Sequence, residues 1–158
     1  MGKILVIGAN GSVGKSCVNN LKDDNDLVLI SRSEFDSDVE GNFEKNVLDI
    51  NDYTNTESFI KSINYEISGI IFAIGSINLK PFSSTSVDDF KKIMDDNFYN
   101  IVHFLNHCIT KMSDSSSVVF FSSIAAVRGF KNHTAISSAK SALTVSYTHL
   151  TLPTRDDV

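Results

Sequence analysis

The stretch GANGSVGKS, residues 8–16, has the residue types of a loop that binds phosphate. It follows the apolar run KILVI and leads into a segment with helical spacing, so it joins a strand to a helix N-terminus. Small residues let backbone N–H groups approach a phosphate, and the helix dipole favours negative charge there. Residues 9–16 match a relaxed nucleoside triphosphate loop, and the glycines within 8–14 match a dinucleotide loop. Other features must decide between these two ligands.

A nucleoside triphosphatase also needs a carboxylate at the end of a neighbouring strand, where it holds Mg²⁺. The apolar runs that end at Ile74 and Ser122 are followed by Gly75 and Ser123, which carry no carboxylate. We therefore favour a dinucleotide ligand and keep a P-loop triphosphatase as the less favoured alternative.

The elements that must position this loop follow from the hydrophobic pattern. Short, largely apolar runs predict strands at residues 3–7, 26–31, 43–48, 69–74 and 117–123. Helical spacing predicts a helix at 13–21, one capped by Asp52, a long one from Ser86 to Leu105, and one opening at 137–143. Strands that alternate with helices indicate right-handed crossovers and a parallel sheet covered on both faces. The sequence thus predicts an α/β domain over residues 1–144.

Composition excludes several classes of function. Hydrophobic residues make up 42% of the chain, the formal net charge is −5, and the basic residues are scattered, which argues against nucleic acid or membrane partners. No apolar run approaches the roughly 20 residues of a membrane span. Cys17 and Cys108 lie far apart without metal-ligand spacing, so we expect buried thiols of a cytoplasmic protein and no metal site.

The C-terminal segment VSYTHLTLPTRDDV, residues 145–158, differs in character from the rest of the chain. It has threonines at every third position, one proline and no amphipathic period. The string VSYTHLTLPT resembles a translated transposon-end adapter from sequencing libraries. We therefore expect residues 145–158 to be a non-native, irregular tail and the native protein to continue differently after residue 144.

Further landmarks stand in order along the chain: LDIND with Asp49 and Ile50, FAIG at 72–75, then Asn97, Ser123 and Lys140. With the glycine loop they resemble the short-chain dehydrogenase/reductase family over residues 3–143, in a divergent subgroup that lacks the catalytic tyrosine. The chain departs from the family at Ser12, where the middle glycine usually falls, and at Ile136, where the tyrosine stands. The resemblance implies a Rossmann-type doubly wound parallel sheet of strand order 3-2-1-4-5, truncated on its C-terminal side.

The resemblance also implies roles in hydride transfer between a nicotinamide cofactor and a carbonyl or alcohol. Ser123 binds the substrate oxygen, Lys140 binds the nicotinamide ribose, and Asn97 holds a water for proton relay. In the family a tyrosine donates the proton, with its pKa lowered by the lysine charge. The cofactor contacts carried over are Gly8, Asn10, Gly11, Ser12, Val13, Gly14, Ser31, Arg32, Asp49, Ile50, Ala73, Ile74, Gly75 and Lys140.

Ile136 cannot donate a proton, so another donor is needed if the protein is catalytic. His133 lies three residues earlier, and an imidazole with its ordinary pKa of about 6.5 suits acid–base work. Ser137 is adjacent to Ile136, but its hydroxyl is a weak acid unless Lys140 activates it. Neither residue is assigned as the donor. If the intact protein reduces carbonyls, we expect a tyrosine at position 136 to leave turnover unchanged or to raise it.

The cofactor choice depends on the end of the second predicted strand. A carboxylate there would bind the ribose 2′-hydroxyl of NAD. The chain has Ser31, Arg32 and Ser33 instead, and a guanidinium suits a 2′-phosphate. We therefore expect NADP(H) to be preferred, with NAD(H) as the alternative.

Two hypotheses of function remain open. The first is an NADP(H)-dependent oxidoreductase that acts on an unknown small-molecule carbonyl or alcohol and forms homo-oligomers through helices at 86–112 and 137 onward. The second is a non-catalytic dinucleotide-binding sensor or interaction protein. The missing tyrosine favours the second, whereas Asn97, Ser123 and Lys140 favour the first. We expect the 158-residue chain itself to be inactive, because this family builds its substrate pocket from segments that follow residue 144.

Overall fold

A computed structural model describes residues 2–39 and 41–149 of the chain. Five parallel strands form one sheet in the order β3-β2-β1-β4-β5, which confirms the predicted strand order. The strands are β1 (Lys3–Ile7), β2 (Leu27–Ser31), β3 (Glu44–Val47), β4 (Ile67–Phe72) and β5 (Met112–Phe120).

The central strands are buried because their residues are apolar on both faces. All five residues of β2 are buried, and so are five of the six residues of β4. A cluster of apolar side chains from β1, β2, β4, the first helix and the loops after β1 and β2 packs together: Val6, Ala9, Val18, Leu27, Leu29, Val39 and Ile71. Continuous apolar runs thus predicted the two-sided burial correctly.

The described residues form five α-helices: α1 (Ser12–Leu21), α2 (Tyr53–Ser62), α3 (Val87–Met94), α4 (Asn100–Cys108) and α5 (Thr134–Tyr147). Asp52 caps α2, since its carboxylate accepts a 3.0 Å hydrogen bond from the N–H of Asn55. Ser86 and Asp89 form a reciprocal capping box at the start of α3. Both caps were predicted from the sequence.

The long helix predicted from Ser86 to Leu105 is interrupted. Between α3 and α4 the backbone forms a π-helical turn at Asp95–Tyr99, closed by a hydrogen bond from the N–H of Asn100 to the carbonyl of Asp95. Such single π turns occur often at functional sites. The turn contains Asn97, one of the predicted site residues.

Two predicted boundaries are corrected by the structure. β5 begins at Met112, five residues before the predicted start, and its pairing with β4 shifts register between Ile67 and Gly69. α5 begins at Thr134, three residues before the predicted start, and runs to Tyr147, so residues 146 and 147 are helical rather than irregular. These residues include no helix breaker, and the first proline after them is Pro153. Residues 150–158 of the expected tail lie outside the described residues.

The described residues divide into two compact units, which we call the sheet unit and the helix unit. The sheet unit comprises residues up to 74 and 103–121, with all five strands. The helix unit comprises residues 75–102 and those from 122 onward, with α3, the π turn and α5. Within the part of the chain described, we find no helix whose length and hydropathy would let it cross a membrane.

Both cysteines are free thiols. Cys108 is buried, and burial raises its pKa to about 12. Cys17 is only half-buried, so the expectation of two buried thiols holds for Cys108 alone.

Candidate functional site

In the sheet unit the glycine loop joins β1 directly to α1. Gly14 lies buried in the first turns of α1, and a Cβ built there would overlap the carbonyl oxygen of Gly8. The N–H of Gly11 donates a 3.0 Å hydrogen bond to the same carbonyl. Only a residue without a side chain at position 14 therefore allows the helix to start this close to the strand.

The N-terminus of α1 meets the requirements for binding a phosphate. Gly11 occupies the N-cap position without a side-chain cap, and the first turn has no acidic residue. Gly11, Ser12 and Val13 are all exposed. The backbone N–H groups here are thus not taken by a capping side chain, and the helix dipole favours an anion. These residues fit the pyrophosphate of a dinucleotide.

Lys15 is held by carboxylates from the loop after β2. Its ammonium lies 2.7 Å from an oxygen of Asp36 and 2.8 Å from one of Asp38. These hydrogen bonds raise the pKa of Lys15, and the bond from Lys15 lowers the pKa of Asp36. A triphosphatase would need this lysine on the phosphates. Its engagement by two aspartates counts against that alternative.

Asn10 has a role that sequence reasoning missed. Its side-chain oxygen accepts a 3.0 Å hydrogen bond from the N–H of Asp36, and its amide nitrogen donates to the carbonyl of Glu34 at 3.1 Å. Asn10 therefore ties the glycine loop to the loop that follows β2. An asparagine between two glycines gives no sign of such a distant partner.

The predicted contacts at the ends of β2 and β3 differ in exposure. Arg32 is exposed, whereas Ser31 is 4% exposed and its hydroxyl accepts a 3.4 Å hydrogen bond from the N–H of Ser33. Asp49 uses its carboxylate to accept from the backbone N–H of Asn51 at 3.0 Å, and Ile50 is buried. Arg32 is thus the residue of this group that is best placed to meet a charged ligand.

The segment after β4 divides between the two units. Ala73 and Ile74 are half-buried in the sheet unit, and the N–H of Ala73 bonds to the carbonyl of Ile7 at 2.8 Å. Gly75 belongs to the helix unit and has φ of +149°. A Cβ at Gly75 would lie 2.5 Å from Oδ1 of Asn97 and 3.3 Å from Nζ of Lys140. The structure therefore brings together three predicted site residues.

Asn97 is fully buried within the π turn. Its amide nitrogen donates to the carbonyl of Ser76 at 2.9 Å and to that of Ile93 at 3.0 Å. Its Oδ1 is buried and has no hydrogen-bond partner among the described residues. A buried acceptor without a partner is costly unless a water or ligand group satisfies it. This oxygen fits the water that the family resemblance assigns to the asparagine.

Lys140 lies on α5 and is only 8% exposed. Removal of its ammonium from water lowers its pKa, because burial disfavours the charged form. A buried lysine beside a glycine and a buried amide is unusual for a purely structural helix face. Its position is consistent with a residue that meets a ligand.

Ser123 is half-buried and caps a short 3₁₀ turn at Ile124–Ala126. Its hydroxyl oxygen accepts a 3.2 Å hydrogen bond from the N–H of Ala125. A hydroxyl that accepts one bond keeps its own hydrogen for another acceptor, such as a substrate oxygen.

Ile136 is 5% exposed and packs into an apolar cluster of the helix unit. The cluster contains Ile93, Ala135, Ile136 and Ala139, with Phe90 and Met94 packed against it. Of the two candidate donors, His133 is half-buried with Nδ1 at 2.6 Å from the carbonyl of Lys131, and Ser137 is half-buried on α5. Neither arrangement singles out a proton donor, which stays unassigned.

The comparisons with known proteins agree with this geometry. The family model described as enoyl-(acyl carrier protein) reductase matches residues 9–152. The chain therefore belongs to the short-chain dehydrogenase/reductase family. A search of curated proteins found no match.

Several solved structures share the fold. A short-chain dehydrogenase/reductase from Saccharomyces cerevisiae matches with a TM-score of 0.85 and 25% identity, over 98% of this chain and 66% of that one. Aldohexose dehydrogenase from Thermoplasma acidophilum, in ligand-free form, matches with 0.82 and 20%, over 96% and 62%. ElxO with NADP bound matches with 0.81 and 22%, over 92% and 65%. This chain thus spans about two thirds of the length of these relatives.

Proposed function

We propose that the protein is an NADP(H)-dependent oxidoreductase of the short-chain dehydrogenase/reductase type, acting on a small carbonyl or alcohol. The observation that carries the proposal is the grouping of Gly75, Asn97 and Lys140 in the helix unit. Gly75 has a positive φ and no side chain, which leaves space for a ligand. The buried amide oxygen of Asn97, which has no partner among the described residues, and the buried Lys140 offer polar groups to that ligand.

Each residue has a task in this proposal. The cofactor supplies or accepts the hydride. The N–H groups at the start of α1 bind the pyrophosphate, and Lys140 donates a hydrogen bond to the nicotinamide ribose. Asn97 holds a water through Oδ1, and Ser123 donates its hydroxyl hydrogen to the substrate oxygen. The remaining cofactor contacts carried over from the family, from Asp49 and Ile50 to Ala73 and Ile74, stay predictions.

The preference for NADP(H) rests on Arg32, which is exposed directly after β2. Asp36 and Asp38, two carboxylates close to Arg32 in sequence, are both paired with Lys15, which offsets one of their two negative charges. ElxO, a protein of the same fold, has been solved with NADP and with NADPH bound. A guanidinium can bind a 2′-phosphate with two parallel hydrogen bonds, which a 2′-hydroxyl cannot match.

Titration by nicotinamide fluorescence tests this preference. We expect NADPH to bind more tightly than NADH, and Arg32→Ala to weaken NADPH by about tenfold or more with little change for NADH, in line with about 1.5–3 kcal/mol for a charged hydrogen bond. Lys22→Ala, which removes an exposed cation at the end of α1, is the matched control and should change neither affinity. Equal affinities for both cofactors, or no effect of Arg32→Ala, would contradict the proposed preference.

The burial of Ile136 favours a second candidate, a dinucleotide-binding protein without turnover. The two candidates differ in what Ser123→Ala does. If the protein is catalytic, this substitution lowers turnover of any carbonyl substrate found and leaves cofactor affinity unchanged. If no carbonyl in a broad panel is reduced although NADPH binds, the second candidate replaces the first. Cytoplasmic location and homo-oligomers through the helices at 86–112 and 137 onward stay predictions.

A further inference from the structure

A cluster of metal-ligating side chains lies in the sheet unit, apart from the residues discussed above. It comprises Glu57 on α2 and His103 and His107 on α4, and we call it the His-Glu cluster. One ligand atom from each residue lies within 4.8 Å of the other two. The cluster has no task in the proposed oxidoreductase chemistry.

We propose that the His-Glu cluster is a binding site for a divalent transition metal, best suited to Zn²⁺. Two imidazoles and one carboxylate are a common protein ligand set for zinc, with a fourth position left to water. The two histidines are four residues apart, a spacing that places both on one face of a helix. α2 supplies the third ligand from a segment far away in sequence.

The hydrogen bonding of His107 prepares it to bind a metal. Its Nδ1 lies 2.9 Å from the backbone carbonyl of His103, which fixes Nδ1 as the protonated nitrogen. Nε2 then carries the lone pair, and it lies 3.7 Å from a carboxylate oxygen of Glu57. Metal-binding histidines usually donate their other N–H to a carbonyl or carboxylate in this way.

The ring of His103 is oriented by packing. Tyr53 on α2 stacks against it with ring centroids 3.9 Å apart and an interplanar angle of 15°. Nε2 of His103 is buried and has no hydrogen-bond partner among the described residues, so the fold does not fully use this imidazole. The ring centroids of His103 and His107 are 4.4 Å apart, so the two imidazoles are direct neighbours.

Little rearrangement is needed to complete the site. Zn–N and Zn–O distances near 2 Å place the ligand atoms of a tetrahedral site roughly 3.3 Å apart. The separation of 3.7 Å between His107 and Glu57 is close to that value. Lys61 also contacts the carboxylate of Glu57, at 3.4 Å, but its side chain is 75% exposed and can move away. Small side-chain rotations therefore suffice to close the cluster on an ion.

The alternative is a structural contact in which a protonated His107 pairs with Glu57 and no metal binds. Titration of the full 158-residue chain, free of any histidine tag, with Zn²⁺ by calorimetry separates the two. Binding of Co²⁺ followed by its visible absorption reports the ligand geometry. We expect one Zn²⁺ per chain and Co²⁺ bands typical of four- or five-coordinate nitrogen and oxygen ligation.

Three variants test the ligand assignment. His107→Gln and Glu57→Gln should each weaken Zn²⁺ by at least about tenfold, as expected when a ligand is lost. His133→Gln removes a histidine of the helix unit and should leave the affinity unchanged. Thermal unfolding without metal checks that each variant folds. The absence of one-to-one binding, or an affinity that His107→Gln and Glu57→Gln leave unchanged, would overturn the proposal. All these measurements are independent of cofactor binding and reductase activity.

Discussion

Substitution of Ile136 by tyrosine restores the residue type that the family places there, and the structure predicts that the chain resists it. Ile136 is 5% exposed and packs against Ile93, Ala135 and Ala139. A tyrosine in the same orientation would have to force its larger ring into this cluster. It would also bring a hydroxyl group among apolar side chains.

The magnitude follows from two contributions to the free energy of unfolding. Overpacking of a well-filled core costs about 1–3 kcal/mol. A buried hydroxyl without a hydrogen-bond partner costs about 1–3 kcal/mol more. The expected loss is therefore about 2–6 kcal/mol, a large part of the roughly 5–15 kcal/mol that stabilises an ordinary domain. Ile136→Phe is the matched control, because it adds the ring without the hydroxyl and should lose only the first contribution.

Urea unfolding followed by circular dichroism measures these differences for the chain and its two variants. We expect the parent chain to be the most stable, Ile136→Phe to be less stable, and Ile136→Tyr to be the least stable. If Ile136→Tyr is as stable as the parent to within about 0.5 kcal/mol, or more stable than Ile136→Phe, the side chain at position 136 leaves the apolar cluster and finds a polar partner. In that case the packing argument would be wrong.

Two further predictions concern the helix unit. Asn97→Leu removes the amide that donates hydrogen bonds to the carbonyls of Ser76 and Ile93, so it should lower the free energy of unfolding by about 1–3 kcal/mol. Urea unfolding measures this difference, and a loss below about 0.5 kcal/mol would show that these bonds contribute little. Asp89 has its pKa lowered from 3.8 to about 2, first by the hydrogen bond from Lys80 and then by those from Ser86. Because this pKa is depressed in the folded state, the stabilisation is complete above pH 3.8 and is lost as the pH falls towards 2. The difference in melting temperature between the chain and Asp89→Asn should therefore shrink from pH 5 to pH 2, and a constant difference would contradict the assignment.

The strand positions and the helix caps could be predicted because their causes are local, whereas the strand order was implied by the family resemblance. Apolar runs mark strands buried on both faces, and Asp52 and Ser86 satisfy the first N–H groups of α2 and α3 within a few residues along the chain. The glycine loop was also predictable, since its need for small residues arises within one turn between β1 and α1.

Other features depend on partners that are distant in sequence. The π turn at Asp95–Tyr99 accompanies an amide of Asn97 that reaches the carbonyl of Ser76, a contact between the turn and the segment after β4. Helical periodicity cannot separate an α turn from a π turn of the same residues. The pairing of Lys15 with Asp36 likewise joins α1 to the loop after β2, and no local pattern indicates it.

The sequence carries a partial signal of the His-Glu cluster. His103 and His107 have the i, i+4 spacing of helical metal ligands, and both lie in α4, which begins within the long helix predicted from Ser86 and extends past its predicted end at Leu105. Their third partner, Glu57, comes from another helix, so the spacing alone does not distinguish a metal site from a solvated helix face. The structure supplies what the sequence lacks, because it brings the ligand atoms of all three residues within 4.8 Å of one another.

The contrast between Ile136 and Lys140 bears on what the protein does. Burial lowers the pKa of Lys140, so below that pKa the folded chain carries an ammonium whose charged form is disfavoured by its surroundings. Hydrogen bonding of Lys140 to a ribose needs no tyrosine, whereas assistance to an acid at position 136 would need one. Proton transfer and cofactor binding therefore separate in this chain. Gly75 and Lys140, which we propose for cofactor binding, lie together with Asn97 in the helix unit, while position 136 is filled by an apolar side chain that packs in the same unit. The proposed cofactor binding therefore does not depend on the residue at position 136, whereas the proposed turnover requires a donor other than Ile136.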